Sequence, residues 1–216
     1  MEENIKKPEA IKIGFLGDSE VGKTIIANRY MGDEFSEDCL ASIGVDKLEM
    51  NFMLKNNEDI KLILFDTSGP ERFRSITLTV LKHVHGVILV FDVTRKTSFN
   101  NLNIWLEEIK NITDNLILVL FANKVDMDKS KWEVSIEEVK QFAEKMQIPL
   151  FETSARTKQG IMEGLSYIVN DIYGKKFIQN NNNIIINNKE RKSNNNSGCI
   201  TNKINKKIND DKNKKK

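Results

Sequence analysis

The chain has 216 residues, 30% of them charged, and a formal net charge of +2, which gives room for one well-filled domain and a tail but not for two enzymatic domains. That charge is unevenly spread, since residues 175–216 carry +9 and the remainder −7. Cys39 and Cys199 are too few and too far apart for a disulfide framework, no Cys/His cluster suggests zinc, the opening MEENIKKPEA is no signal peptide, and no stretch approaches the ~20 apolar residues that span a bilayer. A reducing, cytoplasmic setting is the expectation.

In chain order, the first predicted element is a strand, IKIGFL (11–16), running into the loop GDSEVGKT (17–24) and then a helix, TIIANRYM. That loop satisfies G-x-x-x-x-G-K-[ST] in its required place between strand and helix. Backbone N–H groups of such a loop and the following helix N-terminus face phosphate, Lys23 brings positive charge, and the Thr24 hydroxyl suits Mg²⁺. Two strand-like runs between Val45 and Asp66, joined by KNNEDI with no room for a helix, predict an antiparallel hairpin at a sheet edge. Strand-like runs recur at LILF (62–65), GVILVFDV (86–93), LILVLFA (116–122) and IPLFET (148–153). Between them, SFNNLNIWLEEIKNI (98–112) places Phe99, Leu102, Trp105, Leu106 and Ile109 at helical spacing with Ser98 as a cap, and SIEEVKQFAEKM opens on Ser135 and Glu138 at capping-box spacing. The alternation predicts an α/β domain with a mainly parallel sheet. His83 and His85 are read as ordinary residues near a helix end. Beyond Gly174 the sequence becomes rich in Asn and Lys without an apolar face, so 175–216 is expected to be disordered.

Phosphate binding does not name the base, but NKVD (123–126), following a strand, does. An ionised Asp126 accepts from both the N1–H and the exocyclic amine of guanine, a donor pair that adenine lacks. Asn123 is expected to tie loops together, and TSA (153–155) follows the next strand.

With GDSEVGKT, SIGVD (42–46), DTSGPERFRSIT (66–77), FDVT (91–94), NKVD and ETSA (152–155) in order, the chain resembles the Ras superfamily of small GTPases, and the Rab family most closely. The resemblance covers residues 10–174. It implies a phosphate-loop GTPase domain: a mainly parallel six-stranded sheet with one antiparallel edge strand and helices on both faces, preceded by an extension at 1–9. It also implies GTP or GDP and Mg²⁺ as ligands, hydrolysis of GTP, and a switch role in vesicle-mediated transport. The nucleotide site would comprise Gly17, Asp18, Ser19, Glu20, Val21, Gly22, Lys23, Thr24, Phe35, Ser42, Asp66, Thr67, Ser68, Gly69, Pro70, Asn123, Lys124, Asp126, Ser154, Ala155 and Arg156. Within it Thr24 and Ser42 would ligate Mg²⁺ with Asp66 acting through water, and the Gly69 N–H would sense the γ-phosphate. Phe35 would lie against the guanine face, Lys124 would pack beneath the base, and the Ala155 N–H would meet O6. The switches, Ser42, Ile43, Gly44, Val45, Asp46 and Lys47 with Glu71, Arg72, Phe73 and Arg74, would present the effector surface. Effectors, an exchange factor and an activating protein are the implied partners of a monomer, with no role for nucleic acid.

Several positions depart from the family pattern. Ser42 replaces Thr, Glu20 puts a carboxylate into the phosphate loop, Lys47 charges a usually apolar effector position, and Arg156 replaces Lys. Pro70 stands where the family places the Gln that orients the attacking water. Having neither amide side chain nor N–H, it implies slow intrinsic hydrolysis and no certain catalytic residue, because phosphoryl transfer depends on positioning. The non-cycling alternative is an adaptor that holds GTP; another phosphate-loop enzyme remains a third reading, against which NKVD counts. The C-terminal region shows no prenylation signal. Its seven lysines from Lys203 onward suit weak contact with an anionic membrane surface, at about 1 kcal/mol each, and the alternative is a solvated tail that makes no such contact.

Overall fold

A computed structural model describes residues 9–35, 45–67, 79–113 and 115–178. The chain divides into a compact unit, Pro8–Tyr173, and a second unit of Met1–Lys7 with Gly174–Lys216. The compact unit is built on strand β1 (Ile11–Leu16), helix α1 (Lys23–Met31), β2 (Val45–Met53), β3 (Asp59–Thr67), β4 (Gly86–Asp92), the short α2 (Lys96–Asn100), α3 (Leu102–Ile112), β5 (Ile117–Asn123), α4 (Ile136–Met146), β6 (Leu150–Glu152) and α5 (Ile161–Ile172). A turn of π-helix, Tyr173–Ile178, continues from α5.

The strands form one six-stranded sheet in the order β2-β3-β1-β4-β5-β6. β2 runs antiparallel to β3, with Val45 opposite Thr67 and Met53 opposite Asp59, and every other pairing is parallel. The predicted hairpin is thus present, closed by Asn57 N–H donating to the Leu54 carbonyl at 3.0 Å. A parallel sheet must be covered on both faces, which is why β4 reads as an unbroken apolar run and is buried at every residue. On one face Leu89, Phe91 and Leu120 pack with Phe99, Leu102, Trp105 and Ile109 of α2 and α3 and with Val139 and Ala143 of α4. Towards the other face α1 and α5 meet through the Tyr30 hydroxyl, which donates to the Ile161 carbonyl at 2.7 Å. The Phe121, Phe151 and Tyr167 rings line the same layer, with centroids 5.9 Å apart for Phe121 and Phe151 and 5.6 Å apart for Phe151 and Tyr167.

Helix boundaries follow local chemistry with two informative differences. Ser135 caps α4 as expected, accepting from the Glu138 N–H at 3.2 Å. The Glu138 carboxylate, however, pairs with Lys96 instead of returning to the cap, so only half of the capping box forms. The helix expected over 98–112 begins earlier, at Lys96, and is interrupted at Asn101. Ser98 lies inside it, its buried hydroxyl accepting from the Asp92 N–H at 3.1 Å and donating to the Arg95 carbonyl at 2.7 Å, so it locks the β4–α2 turn and is not a cap. β6 is also shorter than the predicted 148–153 run, because Thr153 and Ser154 turn into the following loop.

Candidate functional site

The first five residues after β1, the end of β3, and the ends of β4, β5 and β6 all lie at the carboxyl ends of their strands. In an open α/β sheet that is where a ligand crevice forms, at the point where strand order reverses. Here β1 is that point, with β3 on one side and β4 on the other.

The 17–24 loop is shaped by glycine where no side chain fits. Gly17 has φ 141° and a Cβ there would fall 2.1 Å from the Val90 carbonyl oxygen, while at Gly22, φ 103°, it would fall 2.4 Å from Asn123 Nδ2. Gly22 also precedes α1, which has neither a side-chain cap nor an acidic residue in its first turn. Its opening N–H groups therefore keep the partial positive charge of a helix N-terminus. Lys23 is 4% exposed. Its Nζ donates to the Gly17 carbonyl at 2.8 Å and the Asp18 carbonyl at 2.6 Å. Burial pushes this ammonium down to about 8; Asp66 and Asp18 pull the other way, and Arg95 adds to the lowering. Thr24 Oγ1 donates to Asp66 Oδ2 at 2.6 Å, and Thr67 Oγ1 bonds the Phe15 carbonyl at 2.6 Å, fixing the end of β3 beside β1.

Asn123 is the hub of the opposite side. Its Nδ2 donates to the Val21 carbonyl at 2.8 Å, and its Oδ1 accepts from the Ala155 N–H at 3.2 Å and from Thr153 Oγ1 at 3.4 Å. The predicted tie between loops is therefore physical, joining 17–24, 123–126 and 153–155. Because the Ala155 N–H is already given to Asn123, contact with a ligand requires it to share that donor. Asp126 Oδ1 accepts from Ser154 Oγ at 2.6 Å, and its second oxygen makes no bond among the described residues. Lys124 sits at φ 69° with Nζ 2.6 Å from Asp92 Oδ2. Arg156 offers its carbonyl to Arg29 Nη2 at 3.4 Å, and its side chain is exposed.

Other expected residues lie apart from this cluster or outside the described region. Phe35 is half-buried in the segment after α1. Val45, Asp46 and Lys47 belong to β2, Asp46 opposite Asp66. Lys47 is exposed and pairs with Glu49, as does Lys61 from β3; these bonds hold the Glu49 carboxyl down to about 2. Ser42, Ile43 and Gly44, and Ser68, Gly69, Pro70, Glu71, Arg72, Phe73 and Arg74, lie outside the described residues.

Sequence reasoning passed over four residues that hold this site in place. Asp92 accepts from the Thr94 N–H and hydroxyl at 2.9 and 2.7 Å while pairing with Lys124. Asn101 Nδ2 and Trp105 Nε1 reach the two carboxylate oxygens of Asp18 at 2.8 and 3.0 Å, and Arg95 reaches the Ser19 carbonyl. Only Asp92 left a signal, as a carboxylate ending a wholly apolar strand.

A family model described as the Ras family matches residues 12–174. Among curated proteins the chain is 37% identical to the Ras-related protein RABE1e of Arabidopsis thaliana over 163 residues, 75% of this chain and 74% of that one. It is 37% identical to the Ras-related protein Rab-1A of Dictyostelium discoideum, over 74% of this chain and 79% of the relative. With the GTP-binding protein ypt1 of Schizosaccharomyces pombe the identity is 40%, over 69% and 73% respectively. With the loop between β1 and α1, the Asn123 hub and the sheet order in agreement, this chain belongs to the Ras family of small GTPases and is Rab-like within it.

Proposed function

We propose that the chain is a guanine-nucleotide switch of Rab type acting in vesicle-mediated intracellular transport, with GTP or GDP and Mg²⁺ at the crevice around β1. The observation that carries this reading is the buried Lys23 ammonium, held among the described residues by carbonyl oxygens of its own loop beside an uncapped helix N-terminus. That donor set suits an anionic oxygen, and the absence of side chains at Gly17 and Gly22 suits close approach of backbone to phosphate. Lys23 and the loop N–H groups, with Asp18, Ser19, Glu20 and Val21 supplying backbone, would hold the outer phosphates. Thr24, Asp66 and Ser42 would hold the metal, which neutralises phosphate charge. Asn123, Asp126, Lys124 and Ala155 would hold guanine, with Phe35 on its face, and the printed name of one relative, the GTP-binding protein ypt1, supports this choice of base.

In this reading residues 10–174 form the GTPase domain, 1–9 an extension, and 175–216 a tail that touches anionic membrane surface weakly. Effectors, an exchange factor and an activating protein are its partners. Acid extraction of nucleotide from the purified protein, followed by ion-exchange chromatography, tests the assignment. Guanine nucleotide is expected, and adenine nucleotide as the bound species would overturn it.

Pro70 supports a finer reading, slow intrinsic hydrolysis, since it offers no group to orient water. In single-turnover phosphate release, Pro70→Gln should be faster than wild type, and equal rates refute the reading. The same residue favours the alternative of a GTP-bound adaptor that does not cycle. No hydrolysis even with Rab-type activating proteins would select the adaptor over the switch.

A further inference from the structure

Glu20 is an unusual occupant of a loop built around phosphate. It adopts φ 64°, the left-handed region that a non-glycine residue enters only when its surroundings hold it there. Its side chain is 84% exposed, turned to solvent, and its carboxylate lies 3.7 Å from Arg95 Nη1. The same guanidinium donates through Nη2 to the carbonyl of Ser19, the preceding residue, while its Nε is buried and has no acceptor among the described residues. A guanidinium with one buried and unpaired N–H is held by its other two nitrogens, and both of those are spent on consecutive residues of the loop. Arg95 also raises the positive potential around Lys23. As the residue before α2 it contributes backbone alone to that helix start, so its side chain is not needed there.

A carboxylate or a carbonyl oxygen turned into this loop would face the charge that the loop has to hold, at a cost set by Coulomb repulsion in a partly desolvated site. We propose that Arg95 is a positioning residue for nucleotide retention: it fixes the Ser19 carbonyl outward and screens Glu20, so that a loop with an acidic residue at its centre still holds a nucleoside di- or triphosphate. This inference rests on the guanine-nucleotide reading above. Glu20 and Arg95 act as one unit, and removing the arginine leaves the carboxylate unscreened. Removing both charges takes away the repulsion along with the screen.

The test is the rate at which full-length protein loaded with fluorescent GDP releases it into excess unlabelled GDP and Mg²⁺, for wild type, Arg95→Gln, Glu20→Gln and the double variant. Arg95→Gln is expected to release about fivefold faster, the scale of one partly exposed ion pair. The double variant should return at least halfway to wild type, and the Arg95→Gln effect should shrink as salt rises from about 50 mM to about 1 M. A purely structural arginine gives neither the rescue by Glu20→Gln nor the salt dependence. Equal release by wild type and Arg95→Gln, or a double variant as fast as Arg95→Gln, overturns the inference alone. Wild type that takes up no fluorescent GDP overturns the nucleotide reading and this inference with it.

Discussion

Replacing Asn123 by alanine should loosen three loops at once. Asn123 is 1% exposed, and its side chain meets the Val21 carbonyl at 2.8 Å and the Ala155 N–H at 3.2 Å, both on buried residues. Alanine leaves these two backbone groups without partners, whereas Thr153 Oγ1 keeps its bond to the Ala122 carbonyl at 3.3 Å. Each stranded buried group costs about 1–3 kcal/mol, so the two together should cost about 3 kcal/mol. At roughly 2–4 °C per kcal/mol for a domain of this size, the melting temperature should fall by about 6–12 °C. Circular dichroism melts of nucleotide-stripped wild type and Asn123→Ala measure this, since stripping separates the internal ties from any ligand contact. A stripped variant melting within about 2 °C of wild type would refute the reasoning, because the loops would then not depend on this side chain. Asn123→Asp is the companion: it keeps an acceptor for the Ala155 N–H but turns a carboxylate towards the Val21 carbonyl, so its loss should be at least as large.

Tyr30→Phe removes the bond to the Ile161 carbonyl, at about 1 kcal/mol near neutral pH. Burial first, and Glu163 second, raise the Tyr30 phenol well above 10, so the unfolded chain deprotonates first as pH rises and wild type loses stability there. The gap between wild type and Tyr30→Phe in urea unfolding should therefore narrow between about pH 9 and pH 11, and a constant gap contradicts the assignment. Gly164→Ala places a Cβ 2.4 Å from the buried Phe121 ring. Overpacking of about 1–3 kcal/mol should outweigh the gain in helix propensity and lower the melting temperature, and an unchanged or raised value argues against a rigid contact there. Ser135→Ala should cost about 1 kcal/mol through the lost cap of α4, read from urea midpoints.

The chemistry-bearing stretches were legible because they are local. GDSEVGKT and NKVD each follow an apolar strand directly, and strand ends in a parallel sheet converge on one edge, so order along the chain already implied proximity in space. The hairpin and the Ser135 cap were legible for the same reason: each depends on residues a few positions apart. What stayed hidden were bonds between distant side chains. Nothing near Asp18 announces Asn101 and Trp105, and nothing in TRKTS announces that Arg95 crosses to Ser19. Ser98 was misread because a serine ahead of an apolar periodic run has the composition of a cap, while its burial against Asp92 depends on how the helix sits on β4. The spent Ala155 N–H was likewise invisible, since a backbone donor has no letter in the sequence.

The order of the strands has a consequence for how copies of this molecule meet one another. β2 and β6 are the two ends of the sheet, and an end strand offers unpaired backbone groups on which a neighbouring chain can build. β6 is three residues long, too short a template for recruitment. β2 is nine residues long, and there Lys47 and Glu49 stand out from the strand with Lys61 of β3 closing a charged row beside them. An incoming strand would have to strip water from that row before its first ladder bond formed. The lysine that looks out of place among Rab sequences thus places charge on the sheet's longer margin, where edge-to-edge pairing would have to desolvate it.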